Sequence, residues 1–266
     1  MGWQIYRGKK IDYLTIPEWL DLGVKVAFST RSGGVSKSPY SSLNLALHVA
    51  DNPEDVLQNR KIFLEELGCL LSDCIAVSQV HGNKVIEVDE RKKGIGMTEV
   101  GPDLPQCDGM VTGLNIGLLG FYADCVPLYF CDPQAGIVGL AHAGWKGTAH
   151  NIVREILHKI QSLGGSIQNC LVAIGPCIGP CCYEVGEEVA TLFADDAAGT
   201  SLMAETGFER YSLDLAGINI LRLIREGIRP ENIETAPFCT ACRKDLFFSY
   251  RREGLTGRMG AFIQKK

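Results

Sequence analysis

Apolar residues in this chain come either in short unbroken runs or at every third to fourth position, the patterns expected of buried strands and of helices respectively. The runs at 24–28, 75–80 and 85–88 predict strands, and the spacing over 53–67 predicts a helix. Asp51 or Asn52 can cap that helix, Pro53 suits its first turn, and Gly68 follows its end. Further strands are predicted at 109–112, 117–130 and 136–142, the last two joined by the turn chemistry of Cys131-Asp132-Pro133-Gln134. Both of these runs are too apolar for either face to meet water, which makes them core strands. Between 148 and 163, Ile152, Val153, Ile156, Leu157 and Ile160 share one helical face, and Gly164-Gly165 ends the pattern. A strand at 171–174, helices at 186–193 and 213–226, and strands at 232–237, 246–250 and 260–264 complete the expectation. Helices separate only some of the strands, which argues for a mixed α/β fold of the α+β kind, layered mixed β-sheets flanked by helices, rather than a doubly wound parallel sheet. No repeat or flexible linker interrupts the pattern, so residues 1–266 are expected to form a single domain.

Composition narrows the function classes. With 46% hydrophobic and 21% charged residues, the chain is not of the disordered class. A net charge of -5, from 26 basic and 31 acidic residues, provides no electrostatic footprint for nucleic acid or an anionic membrane. No apolar stretch reaches the ~18 residues of a spanning helix, and Met1-Gly2-Trp3-Gln4 does not begin an export signal, so the expected location is the cytoplasm. The 11 cysteines are then expected to be reduced, most of them acting as small buried hydrophobes. Cys177, Cys181 and Cys182 with Cys239 and Cys242 suggest a structural zinc cluster, but the first group lacks a Cys-x2-Cys hook and the paired spacing fails.

Three segments place reactive side chains at strand ends beside glycines: Gln79-Val80-His81-Gly82, Ala123-Asp124-Cys125-Val126-Pro127 and His142-Ala143-Gly144-Trp145-Lys146-Gly147. His81, Cys125 and His142 together would meet the rule for a catalytic zinc, three protein ligands with a fourth position open. Their separations of 44 and 17 residues match no compact zinc motif, and the same residues also read as a Cys-His nucleophilic pair with Cys125 as attacker. Asp124 is placed to orient a ligand or move a proton. Two segments could cradle an anion: Arg31 with Gly33 and Gly34, and Lys146 between Gly144 and Gly147 at a helix start. Gly94 and Gly96 lack the third glycine of a dinucleotide-binding turn, and no Walker motif is present. The aromatic run at 247–252 reads as a closing strand that brings Arg251 towards the site.

In this order the segments resemble the YfiH-type, or laccase-domain, family, whose members are described as polyphenol oxidases and as purine nucleoside phosphorylases. The resemblance runs from Ser29-Thr30-Arg31-Ser32-Gly33-Gly34-Val35-Ser36 through the three segments above and Asp108-Gly109. It continues through Ile174-Gly175-Pro176 and Cys182-Tyr183-Glu184-Val185 to Ser249-Tyr250-Arg251, and so covers nearly the whole chain. It implies zinc on His81, Cys125 and His142, and phosphorolysis of adenosine, inosine, guanosine or S-methyl-5'-thioadenosine, with adenosine deamination as a companion activity. His81, Asp124, Cys125 and His142 become the expected catalytic residues, and Arg31, Gln79, Lys146, Cys182 and Arg251 the expected substrate contacts. The implied partners are a purine nucleoside and phosphate, with neither nucleic acid nor membrane, and no oligomeric state follows. Two other activities compete, a copper-dependent polyphenol oxidase and a hydrolase using Cys125 on a peptidoglycan precursor. A single His2Cys copper lacks the multi-site arrangement that full oxygen reduction needs. A non-enzymatic binding module fits the clustered reactive residues poorly.

Overall fold

The computed structural model describes residues 2–266. Its architecture follows from strands that bury both faces. One six-stranded sheet runs in the order Gln4–Arg7, Asp12–Thr15, Val24–Ser29, Met259–Lys265, Gly117–Tyr122, Cys74–Ala76. The other runs Ile233–Thr235, Leu171–Ile174, Val126–Asp132, Ile137–Ala143, Gly109–Thr112, Val85–Glu87. Side chains alternate across a strand, so Leu118, Tyr122, Ala261 and Ile263 of the first sheet meet Tyr129, Cys131, Val138 and Leu140 of the second in a shared core. Two phenols cross that seam. Tyr129 donates to the Ala27 carbonyl and Tyr122 to the Ala141 carbonyl, each at 3.1 Å, which satisfies buried polar groups and fixes how the sheets sit together.

The opposite faces are covered by helices. Leu119 and Phe262 lie in one core with Phe63 and Leu64 of the helix Pro53–Glu66. Val126, Leu128, Phe130 and Ile137 pack with Ile152, Val153, Ile156, Leu157 and Ile160 of the helix Ile152–Ser162, and with Ile218 and Leu223 of Leu215–Arg225. Fully burying each such side chain contributes about 1.5–3 kcal/mol. No helix among the described residues is long and apolar enough to cross a membrane.

Most predicted elements are present, and three differences bear on function. The apolar run 117–130 is two strands, Gly117–Tyr122 and Val126–Asp132, which belong to different sheets and break at Asp124, whose φ is 97°. The helix predicted over 148–163 is likewise two, Trp145–Ala149 and Ile152–Ser162. They are separated by Asn151 at φ 54°, whose side chain caps the second by accepting from the Arg154 N–H. The strand expected at 246–250 does not form: Phe247 and Phe248 are buried, while Ser249 caps a short helix, Tyr250–Glu253, and accepts from the Arg252 N–H. The expected Asp-Pro hairpin is present, with Val126–Asp132 antiparallel to Ile137–Ala143 from Val126↔Ala143 to Asp132↔Ile137. A small third sheet of Glu184–Gly186, Arg210–Leu213 and Met203–Gly207 lies outside the sequence expectation.

Candidate metal centre and its two cavities

His142 stands near the end of the strand Ile137–Ala143, and Cys125 at the crossover between the two sheets. His81 is held at φ 59° in the loop before Val85–Glu87. The ligand atoms of these three residues lie within 4.8 Å of one another, a group able to hold a metal ion. Asp108 organises it. Its buried carboxylate accepts from the N–H groups of Val80, His81 and Gly82 at 3.2, 2.9 and 2.7 Å, which fixes the loop carrying His81. The same carboxylate is 2.8 Å from His142 Nδ1, so that nitrogen is the donor and Nε2 is left free to ligate. Gly144 completes the arrangement by having no side chain: a Cβ there would come within 2.9 Å of His81 Nδ1 and 3.2 Å of Cys125 Sγ.

Electrostatics reinforce this geometry. Burial opposes ionisation of Cys125, but His142 and His81 outweigh it and bring the thiol down to about 6. Burial likewise opposes a charge on His142, and the Cys125 thiolate and Asp108 outweigh it, raising the imidazole to about 9. Asp108 is lowered: burial raises it, and His142 with the surrounding N–H groups more than compensates. At neutral pH the metal-free pair is therefore a thiolate beside an imidazolium, and a cation that binds there displaces the proton of His142.

Two cavities meet at this group and share His81, Ala123, Cys125 and Tyr250 as walls. The first, about 420 Å³, is also lined by His48, Gln79, Phe121, His142 and Arg258. The second, about 270 Å³, adds Asp124, Trp145, Ile178, Tyr183, Leu215 and Arg251. Arg258 donates to the carbonyls of Thr256 and Gly257, and no carboxylate pairs with it among the described residues. His48 is brought down to about 4, chiefly by burial and then by Arg258, so it is neutral at pH 7. It reaches the cavity because Arg60 and Asn59 of the helix Pro53–Glu66 hold the Leu43–Ala46 stretch, Arg60 Nε donating to Leu45 and Asn59 Nδ2 to Asn44.

The remaining residues singled out in the sequence divide between the cavities and other contacts. Gln79 lines the first cavity, with its amide engaged at both ends by the Phe121 backbone. Asp124 lines the second, with one oxygen accepting from the Thr240 hydroxyl and the other from the Arg251 N–H, both at 2.7 Å. Arg251 lines it as well, and its guanidinium lies 5.1 Å over the Tyr183 ring and donates to the Glu184 carbonyl. Arg31 lines neither cavity, being paired with Glu253 at 2.8 Å and stacked 4.6 Å over Phe248, whereas Arg258 lines the first. Lys146 lies over the Trp145 ring and lines neither cavity. Cys182 also lines neither, and joins Cys181, Cys239 and Cys242 in a second group of four sulfurs. The spacing objection to that group is overturned, because a Cys-x2-Cys loop meets an adjacent Cys pair from another loop. Arg258 and His48 are lining residues that sequence reasoning missed, since each is an isolated polar residue outside any recognisable motif, and Tyr250 stands within Ser249-Tyr250-Arg251 but was given no role of its own.

A family model described as multi-copper polyphenol oxidoreductase laccase matches residues 25–266. A curated relative from Geobacillus stearothermophilus, "Purine nucleoside phosphorylase YlmD", is 40% identical over 92% of this chain and 91% of its own length. The Escherichia coli "Purine nucleoside phosphorylase YfiH" is 35% identical over 94% of this chain and 98% of its own. The crystal structure of YlmD from Geobacillus stearothermophilus superposes with a TM-score of 0.92 at 38% identity, covering 99% of this chain and 98% of that one. The Bacillus licheniformis protein described as hypothetical protein YfiH gives 0.91 at 36% identity, covering 96% of each chain.

Proposed function

The chain belongs to the multi-copper polyphenol oxidoreductase laccase family, and from that premise we propose that it is a zinc-dependent purine nucleoside phosphorylase. Its proposed substrates are adenosine, inosine, guanosine or S-methyl-5'-thioadenosine together with phosphate, and adenosine deamination is its companion activity. The observation that carries this reading is a His2Cys group at the meeting point of a cation-lined cavity and an aromatic one. The names of the relatives support the same chemistry.

The donor set suits zinc: two imidazoles and a thiolate already favoured by its neighbours, with a carboxylate fixing one imidazole and a glycine leaving the ligand atoms room. When bound on His81, Cys125 and His142, zinc supplies Lewis acidity beside the reacting centre. In phosphorolysis a phosphate oxygen bonds to the anomeric carbon as the glycosidic bond breaks, and its electron pair leaves with the base. Positive charge develops on the sugar in between, so a positioned phosphate both attacks and stabilises. Arg258, a half-buried cation with no carboxylate partner among the described residues, holds that anion. Neutral His48 offers a hydrogen bond beside it. Trp145, Tyr183 and Tyr250 provide flat apolar walls for a purine, with Arg251 at the edge. Asp124 is the carboxylate lining that cavity, and we assign it the proton shuttle of the companion deamination, taking a proton from the attacking water and passing it to the departing ammonia.

One second reading has an observation behind it. Cys125 is favoured as a thiolate by His142 and His81, which is also the preparation a nucleophilic cysteine needs. Chelation separates the two. We expect a chelator, or Cys125→Ser, to remove zinc and nucleoside cleavage together, with base release falling by more than about 100-fold. Base release that survives metal removal and is blocked by thiol alkylation would favour the nucleophile instead.

A further inference from the structure

Away from the cavities, four thiols converge from two loops. Cys181 and Cys182 lie on the turn that follows Leu171–Ile174, and Cys239 and Cys242 on the loop between Ile233–Thr235 and Tyr250–Glu253. Their sulfurs all lie within 4.8 Å of one another, with Cys242 Sγ 3.6 Å from Cys181 Sγ and 3.4 Å from Cys182 Sγ. A tetrahedron of sulfurs about 2.3 Å from a central zinc has edges of about 3.8 Å. A disulfide instead requires about 2.05 Å, and all four thiols are free. The Gly179 N–H donates to Cys239 Sγ at 3.2 Å, the kind of outer contact that supports a ligating thiolate.

We propose that Cys181, Cys182, Cys239 and Cys242 form a second metal site, a closed four-thiolate centre for zinc that is distinct from the His81, Cys125, His142 group. Four sulfurs leave no open position for substrate, so the centre is structural. Both loops that it joins also hold Asp124. Ile178 donates from its backbone N–H to the Asp124 carbonyl at 2.9 Å, and Thr240 donates from its hydroxyl to the Asp124 carboxylate at 2.7 Å. Arg252 secures the second loop by donating to the carbonyls of Thr240 and Ala241. A metal clip between the loops therefore fixes Asp124 from both sides and sets the wall of the aromatic cavity at Ile178 and Tyr183. The proposal stands independently of the activity assigned to the first group.

The test is metal content of the full chain purified under reducing conditions without chelator. About two equivalents of zinc are expected in the wild type, about one in Cys125→Ala, and about one in the double variant Cys239→Ser with Cys242→Ser. Cobalt reconstitution of Cys125→Ala should retain an intense thiolate-to-cobalt charge-transfer band, a signature that does not depend on the double variant folding. The proposal is overturned if Cys125→Ala carries no zinc and gives no such band. It is equally overturned if mass mapping of the wild type finds disulfides among the four cysteines, or finds them alkylated as fast before chelation as after it.

Discussion

Asp108 concentrates more of the metal centre than any ligand does, since one carboxylate sets the His81 loop and the His142 tautomer together. Replacing it by Asn exposes His142 Nδ1 to an amide that no longer guarantees an acceptor. Asp108→Asn should therefore weaken zinc binding by about 10–100-fold in a competition titration. Gly144→Ala pushes a methyl against His81 Nδ1 and Cys125 Sγ, and should lower zinc occupancy while the far-ultraviolet circular dichroism stays unchanged. Titration of metal-free protein follows from the same contacts. Cys125 alone adds stability that is present above its ordinary 9.0 and lost as pH falls through about 6. His142 alone adds stability that is present below 6.5 and lost as pH rises through about 9. Between 6.5 and 9.0 the unfolded pair holds its one proton on Cys125 and the folded pair holds it on His142, so their contributions to the slope cancel. The melting temperature should show no trend from this pair in that window, while the alkylation rate of Cys125 rises as pH passes about 6. A rise centred near 9 would refute the ion pair.

At the level of elements, the sequence was legible wherever burial leaves a continuous apolar run or a helical stripe. Gly109–Thr112, Ile137–Ala143 and the apolar face of Ile152–Ser162 fall where periodicity puts them, because their neighbours on both sides are hydrophobic. The breaks were not legible. Asp124 and Asn151 interrupt apolar patterns through positive φ, which Asp and Asn tolerate without having to adopt it. Gln4–Arg7 and Met203–Gly207 carry mostly exposed residues, and strand formation there depends on the partner strand. The convergence of His81, Cys125 and His142 was legible through residue type beside glycines, while zinc rather than a Cys-His nucleophilic pair was legible only through the family resemblance. Arg258 and His48 were not, because the cavity receives them through loop contacts such as Arg60 to Leu45 that no local pattern records. Asn151→Ala should cost about 1–2 kcal/mol through the lost cap and the strained backbone, lowering the melting temperature while zinc content is unchanged.

For the molecule as a whole, two sheets sealed by Tyr122 and Tyr129 meet at a seam whose edge carries His142, with Cys125 where the chain passes from one sheet to the other. In the proposed reaction the first cavity takes the anion and the second the flat base, and Arg258→Met should then raise the KM for phosphate by at least about tenfold with little change for the nucleoside. The most direct measurement supplies zinc-loaded protein with inosine in the presence and absence of phosphate and quantifies base, ribose 1-phosphate and free ribose. The account predicts hypoxanthine and ribose 1-phosphate in equal amounts, formed only when phosphate is present. No base release from zinc-loaded protein, or free ribose appearing regardless of phosphate, would contradict it.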